Sequence, residues 1–519
     1  MNAARMALLL ACALPATAAA APDRPRNIVF IFSDDHSLQT IGAYNWRLSE
    51  FCREHDITPN IDRLAAEGGL FENSYCGNSI CTPSRATVLT GLHSHAHGVR
   101  NIQERTPIRA DLWTFPPALQ KSGYQTALFG KFHIENSTPT FADWSVLPGQ
   151  GDYHDPTFLE KDGTQQKIKG YVTDIITDRS IEWLRERDPS KPFFLAVHHK
   201  APHRNWEVPQ KYARWLDDVT VPEPETLLDD YVGRTSAERN QKMSIARHLR
   251  LNIDLKVGDH YPRMWSYLQN NPLYRARNEE FARLTPQGDD LTRWKYRQYM
   301  KDYLRAVKSM DDNIGRLLDE LKAQGLEDNT IVIYSSDQGF FNGEHGWFDK
   351  RWIYRESVHM PFIVRWPGVV KPGTRFTEMI QNIDYAPTIM EMAGGHAPDG
   401  LHGRSLVPVL CGETPSDWRD SIYYRYFSES GHNVPQHYGV VTGSHTLFYL
   451  PESKEWQLFD HGKDPRQLRN VYNDPAYADT VKKLETELTR LRNHYGDTEE
   501  VTMPSRFRNS PKAGPLEDS

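Results

Sequence analysis

The sequence predicts an α/β fold: a large central mixed, mostly parallel sheet flanked by helices, followed by a smaller C-terminal α+β subdomain with a short antiparallel sheet. Three observations carry this reading. Short continuous Val/Ile/Phe runs recur along the chain, as in strands buried on both faces. Amphipathic helical stretches lie between them. Towards the C-terminus the texture changes to short strand-like segments separated by turns.

The runs share one shape, each ending in polar or charged residues. NIVFIF leads into Ser33, Asp34, Asp35 and His36. YQTALFG leads into Lys131 and His133, and PFFLAVHH into Lys200 and His203. TIVIYSS leads into Asp337, Gln338 and Gly339, and FIVRWPG follows. In open α/β sheets ligands bind beyond the carboxyl ends of the strands, where these residues collect.

Among the helices, TPNIDRLAAEG has Thr58 as expected N-cap, Pro59 at the first helical position and Gly68 as the stop. From Tyr296 to Leu321, apolar residues such as Tyr299, Tyr303, Val307, Met310, Ile314 and Leu317 recur at steps of three and four, with a stop near Gly325. Residues 204 to 290 are rich in Arg, Asp, Trp and Tyr and read as a partly helical insertion at the rim of the site. SIYYRYFS, YGVVTG, HTLFYL and EWQLFD read as antiparallel strands. A last helix, from Asp479 to Tyr495, has Val481, Leu484, Leu488 and Leu491 on one face. The expected organisation is a signal peptide over 1–21, a catalytic domain over 22–404, a C-terminal subdomain over 405–496 and a polar tail over 497–519.

The chain has 519 residues, enough for one large core or two domains, and a net charge of -7 with no basic block, which argues against a nucleic-acid partner. Arg5, the apolar run MALLLACALPA and a small-residue stretch describe a secretory signal peptide, cut near Ala19 to Ala21. The run is shorter than the ~20 residues of a membrane span. Lipoprotein anchoring through Cys12 is the alternative to a periplasmic or secreted product. Five cysteines make no dense disulfide framework. A single bridge among Cys52, Cys76 and Cys411, such as Cys52–Cys76, stays open.

The chemistry begins at CTPSRATVLTG. With Thr82 as N-cap and Pro83 in the first turn, Cys81 stands at a helix N-terminus, where free N–H groups favour an anion. Arg85 lies one turn on. A reactive thiolate, another anion-handling group and a buried structural cysteine all fit this placement. Asp34 and Asp35 at one strand end, with Asp337 and Gln338 at another, offer hard oxygen ligands suited to Ca2+ or Mg2+; His36 alone is thin support for zinc. Lys131, His133, Lys200, His203 and Lys350 together could neutralise an anionic ester and supply an acid and a base.

Taken in order, these motifs resemble the type I, formylglycine-dependent sulfatase family of the alkaline-phosphatase-like superfamily. CTPSRATVLTG matches the family's Cys-x-Pro-Ser-Arg signature with its closing Leu-Thr-Gly. The Asp34-Asp35 pair, GKFH (usually Gly-Lys-Trp-His), APH, DQG and GEHGWFDKR follow in family order, and EWQLFDHGKDPRQLRNV is similar to the family's C-terminal segment. The resemblance implies that a maturation enzyme oxidises Cys81 to formylglycine, whose hydrate carries two oxygens on one carbon: one attacks sulfur and the other later expels sulfate. It implies that Asp34, Asp35, Asp337, Gln338 and residue 81 hold Ca2+, Mg2+ being the lesser candidate. Arg85 and Lys131 would steady residue 81, His133 would be the base for sulfate release, His203 would protonate the leaving alcohol, and Lys350 would hold the sulfate. Gln338 departs from the more frequent Asn but keeps a carbonyl ligand.

APHRNW, GQGDYHDP and GYVTDIITD are most similar to the sulfatases that remove 6-O-sulfate from N-acetylglucosamine in heparan-type or related glycans. By that likeness Asp349, Arg351 and His437 would contact an exo-bound sugar. Trp206, Trp347 and Trp352 are offered either as stacking platforms or as core. A sulfatase for another glycan, a formylglycine-dependent phosphonate or phosphate ester hydrolase and a glycan-binding protein without turnover are the alternatives. A monomer or small homo-oligomer is expected.

Overall fold

The computed structural model describes residues 26–258, 271–428 and 431–498. The expected signal peptide and nearly all of the expected tail lie outside the described residues. Among the described residues, sixteen strands follow in chain order. They are β1 (Asn27–Ser33), β2 (Gly69–Tyr75), β3 (Gln125–Lys131), β4 (Asp143–Leu147), β5 (Thr157–Glu160), β6 (Gln165–Lys167), β7 (Phe193–His198) and β8 (Thr330–Ser336). Then come β9 (Phe341–Asn342), β10 (Phe348–Asp349), β11 (Phe362–Arg365), β12 (Thr374–Gln381), β13 (Ser421–Tyr426), β14 (His437–Thr442), β15 (His445–Leu450) and β16 (Glu455–Asp460).

Ten of these strands form one sheet in the order β12-β2-β11-β8-β1-β7-β3-β4-β5-β6. β1 pairs in parallel with both β7 and β8, and β3 with β7 and β4. β11 runs antiparallel to β8 and β2, and β5 to its neighbours, so the sheet is mixed. Every residue of β1 is buried. Ile28, Phe30 and Phe32 enter the core on one face; Val29 and Ile31 enter the core on the other. Burial on both faces is why this strand reads as a continuous apolar run.

The long helix spans Gly288–Ala323 and starts earlier than its apolar stripe. Asp289 and Asp290 fill its first turn, where acids suit the N-terminal dipole. Its second half packs Met310, Ile314, Leu317 and Leu321 on the sheet. Its first half packs Tyr296, Tyr299, Tyr303 and Val307 against Trp206, Val221, Ile245 and Leu255 of the insertion. One helix therefore fixes the rim to the sheet. At the helix Pro59–Glu67, Thr58 does not cap; its hydroxyl accepts from the Gly42 N–H at 2.9 Å instead. The free first-turn N–H groups of Asn60 and Ile61 are taken by the Asp311 carboxylate of the long helix, at 3.1 and 2.8 Å.

The four-stranded sheet β13-β14-β15-β16 is antiparallel throughout. Ile422, Tyr424, Val441 and Phe448 join the main core, whereas Tyr423, Val440, Leu447 and Leu458 face Leu484, Leu488 and Leu491 of the helix Ala478–Tyr495. Asp497, assigned by sequence to the tail, is buried and accepts from the Tyr423 hydroxyl. Trp206, Trp347 and Trp352 are fully buried, so all three belong to the core. Cys52, Cys76, Cys81 and Cys411 are free thiols, and no bridge joins Cys52 to Cys76.

His437 departs from its expected role in substrate contact. It is fully buried, its Nδ1 bonds to Pro435 O at 2.9 Å, and its Nε2 accepts from the Ile353 N–H at 3.2 Å. Its ring stacks on Trp352 at 5.1 Å. With both nitrogens taken by backbone, it ties β14 to the segment after β10.

Two predictions follow from these ties. Asp384 is fully buried and accepts from Gln381 N–H at 2.8 Å, from Arg404 N–H at 2.9 Å and from Arg419. Arg419→Ala strands this carboxylate and is expected to destabilise the protein by about 3–5 kcal/mol, read as a lowered urea midpoint. Burial pushes the His437 imidazole from 6.5 down to about 3. Unfolded chains then bind the extra proton, so stability is lost as pH falls below 6.5. This residue is expected to contribute a loss of about 2 kcal/mol at pH 5 relative to pH 7, and that loss should disappear in His437→Gln.

Candidate active site

The carboxyl ends of β1, β2, β3, β7 and β8 converge on one buried volume. Asp34 and Asp35 leave β1, and Asp35 sits at φ 67, in the left-handed region that non-glycine residues seldom occupy. The turn is held from β8: Asp337 Oδ1 accepts from the Asp35 N–H at 3.1 Å, and Ser336 Oγ from the His36 N–H at 2.9 Å. From the long helix, the Tyr303 hydroxyl donates to Asp35 O at 2.8 Å. His36 is buried and bonds Tyr334 through Nδ1, and it is His203, not His36, whose ligand atom gathers with those of Asp34 and Asp35.

Cations meet these acids. Gly130 precedes Lys131 at φ 109, and a Cβ there would lie 2.0 Å from His198 O, so only glycine lets β3 approach β7 in this way. Lys131 Nζ bonds Asp34 Oδ2 and donates to Gln150 Oε1 at 2.5 Å. Arg85 donates from Nε to Asp337 Oδ2 at 3.1 Å and from Nη1 to Lys131 O at 2.9 Å. Lys350 Nζ bonds Asp35 Oδ1. Burial opposes ionisation of Asp34, yet the charges of Lys131 and Arg85 outweigh it and hold the carboxyl well below the usual range.

Cys81 is fully buried as the first residue of the helix Cys81–Thr90, with Ile80 as N-cap; Thr82 lies inside the first turn and does not cap. Burial pushes the thiol up in spite of Lys131 and Lys350. The reactive-thiolate option therefore loses its main support. His133, at φ 50, places Nδ1 3.4 Å from Thr82 Oγ1. His203 places Nε2 3.8 Å from Asp35 Oδ2 and bonds Arg204 O through Nδ1 at 2.5 Å. Burial and the Lys131 charge push both imidazoles well down.

The donor set suits a hard divalent cation. Asp34 Oδ1, Asp35 Oδ2 and Gln338 Oε1 are buried with no hydrogen-bond partner among the described residues. Ligand atoms of Asp34, Asp35 and His203 lie within 4.8 Å of one another. Burial and the neighbouring carboxylates push Asp35 up to about 6 and Asp337 up to about 8, the mark of acids short of positive charge. Oxygen donors of this kind fit Ca2+ or Mg2+. Asp337 is adjacent, but both its oxygens already accept, from Asp35 N–H and Arg85.

Next to Lys350 lies a second cluster. Asp349 bonds Arg351 and has Oδ2 3.2 Å from His432 Nε2. Burial opposes its charge, but Arg351 and His432 hold it well below the usual carboxylate range. Asp349 (φ 81) and Arg351 (φ 90) are both left-handed, so the chain reverses around Lys350. Sequence reading singled out His437 and passed over His432, although both stand in GHNVPQHYG. The available signal was that His432 is flanked by Gly431 and Asn433, as in a loop, whereas His437 opens an apolar strand. Gln150, the Lys131 partner, was missed as well.

The described chain matches the model of the family described as Sulfatase over residues 26–395, and that of N-sulphoglucosamine sulphohydrolase, C-terminal, over 343–494. It is 41% identical, over 91% of this chain and 87% of the relative, to an N-acetylglucosamine-6-O-sulfatase of Bacteroides thetaiotaomicron. A structure solved in complex with its substrate D-glucosamine-2-N,6-O-disulfate superposes with a TM-score of 0.86 at 40% identity, covering 92% of this chain and 99% of that one. A phosphonate monoester hydrolase of Agrobacterium radiobacter shares the fold, with a TM-score of 0.67 at 21% identity over 91% of this chain and 96% of the other. With the family model covering most of its length and the signature cysteine, lysines and histidines gathered at one set of strand ends, the chain belongs to the sulfatase family.

Proposed function

We propose that this protein is an exported, exo-acting carbohydrate sulfatase that hydrolyses 6-O-sulfate on N-acetylglucosamine of heparan-type or related glycans. One observation carries the reading: Lys350, which reaches the buried carboxylates, is flanked by Asp349, which reaches His432, and by Arg351, which bonds Asp349. A sulfate-holding cation and a sugar-holding cluster thus share one three-residue stretch. The likeness to an N-acetylglucosamine-6-O-sulfatase supports the same substrate.

In this reading Cys81 is converted by a maturation enzyme to formylglycine, which when hydrated supplies two oxygens on one carbon. Asp34, Asp35, Asp337, Gln338 and residue 81 would hold Ca2+, which would draw charge from the sulfate oxygens. Arg85 and Lys131 position residue 81 by bracketing it with fixed positive charge. Lys350 neutralises the ester in a dry site, where such a charge acts strongly. His203, neutral when free, is placed to carry a proton to the leaving sugar oxygen, and His133 to take one during sulfate release. Asp349, Arg351 and His432 select hydroxyl positions on the sugar. No helix among the described residues is long and apolar enough to cross a membrane.

The first test is the mass of the residue-81 peptide from the native host, together with turnover of a sulfated-sugar panel and an aryl phosphonate. An aldehyde at residue 81 and release of sulfate from 6-sulfated N-acetylglucosamine are expected. An unmodified thiol in folded native protein, or faster phosphonate cleavage, would sink the proposal. In a second test, Asp349→Ala and His432→Ala are expected to lower kcat/KM on the sulfated sugar by about 100-fold, but on a small aryl sulfate by far less, because lost hydroxyl contacts act only on the sugar. Equal losses on both substrates would assign these residues to sulfate handling.

A further inference from the structure

Beside His203 the surface opens into a cleft of about 650 Å3, reached by the loop 150–155, the segment 203–207 and Arg250. Lys200 and His203 line it, so it continues the site described above. Its inner part is charge-balanced. Lys200 lies near Asp152 and Glu207, and Arg204 is held by both oxygens of Asp254 at 2.7 Å. The outer part differs. Lys167, on the edge strand β6, and Arg250 are both exposed, and neither side chain has a carboxylate partner among the described residues. The acid nearby in the lining, Asp155, has Oδ1 engaged by the Gly170 N–H at 2.8 Å.

The position of Arg204 orients the cleft. Its guanidinium lies 4.9 Å over the ring of Phe348, the neighbour of Asp349, and the same residue lines the cleft. Arg204 therefore stands between the Asp349–Arg351–His432 cluster and the cleft. On the functional reading above, a sugar with its sulfate at Lys350 and its ester oxygen at His203 would have Arg204 and the cleft beyond it. For an enzyme acting at the non-reducing end, the glycan continues from the anomeric carbon of that sugar.

We propose that this cleft is a second sugar subsite, which takes the residue attached at the anomeric carbon, and that Lys167 and Arg250 recognise an anionic group on it, a carboxylate or a sulfate. This rests on the functional reading above for the placement of the first sugar. Exposed cations of this kind add modest affinity individually and select charge together.

The test compares the full-length enzyme with a Lys167→Ala/Arg250→Ala variant, both changes being at exposed positions. Substrates are 6-sulfated N-acetylglucosamine alone and the same sugar linked through its anomeric carbon to a uronic acid, to a sulfated hexose or to a neutral hexose. The variant is expected to lose about tenfold in kcat/KM on the charged disaccharides and less than about twofold on the other two substrates. A loss confined to the uronate arm identifies a carboxylate subsite, and one confined to the sulfated arm a sulfate subsite. Equal change on all substrates, or none, overturns the proposal. Calorimetric binding of the same disaccharides without the 6-sulfate gives a readout independent of turnover. The wild type is expected to bind the charged disaccharides more tightly than the neutral one, and the variant to lose that preference. Absence of the preference in the wild type also overturns the proposal. Preference retained alongside failure to cleave any sulfated sugar would sink the functional reading and leave the cleft assignment standing.

Discussion

Buried charge is the constraint on which this structure turns. Asp34, Asp35 and Asp337 share a dry volume with Arg85, Lys131 and Lys350, and each of these six side chains is almost entirely shielded from water. Removing an ion from water costs several kcal/mol, recovered only where opposite charges and hydrogen bonds are held in good geometry. Such geometry cannot come from one flexible loop. Here the six charges arrive from five segments: the ends of β1, β3 and β8, the helix after β2, and the stretch after β10. A two-sided sheet core fixes those ends relative to one another. Left-handed backbone at Asp35, His133, Asp349 and Arg351 is the local cost of aiming side chains into a small space.

The same constraint explains why some carboxylate oxygens in the cluster go without donors. Arg85 is occupied by Asp337 and by Lys131 O, while Lys131 shares itself between Asp34 and Gln150. Carboxylate oxygens left without donors, together with the burial that raises Asp35 and Asp337, describe a cluster with room for a further positive charge. A divalent cation on oxygen ligands answers that need with chemistry the residues already present.

How legible this was in the sequence depended on range. The strands β1, β3, β7 and β8 were readable because burial on both faces leaves unbroken apolar runs, and their polar ends exposed most of the site. Asp34, Lys131, His203 and Asp337 were found in this way. Interactions set by distant partners were not readable. Thr58 carries an N-cap signature, yet Asp311, 250 residues away from Ile61, caps that helix instead. Trp206 and Trp352 have the composition of sugar platforms and the environment of a core, and only packing distinguishes the two. His432 and His437 are five positions apart with opposite fates, because the ring that enters strand β14 is enclosed while the ring in the preceding turn reaches Asp349.

That last contrast bears on how specificity is built. The sheet β13–β16 contributes no group to the carboxylate cluster, but the turn before β14 carries His432 to Asp349, and the Tyr424 hydroxyl of β13 donates to Arg351 O at 2.6 Å. His437 then bonds the backbone at Ile353, just beyond. The 349–353 stretch is therefore held from one side by the buried charge cluster through Lys350 and from the other by the C-terminal sheet. A shift in how that sheet docks would move Asp349 and Arg351 against a Lys350 pinned at Asp35. On the proposed function, chemistry on the sulfate and choice of the sugar would be separable: the first would belong to the strand ends of the large sheet, the second to the seam where the small sheet meets it.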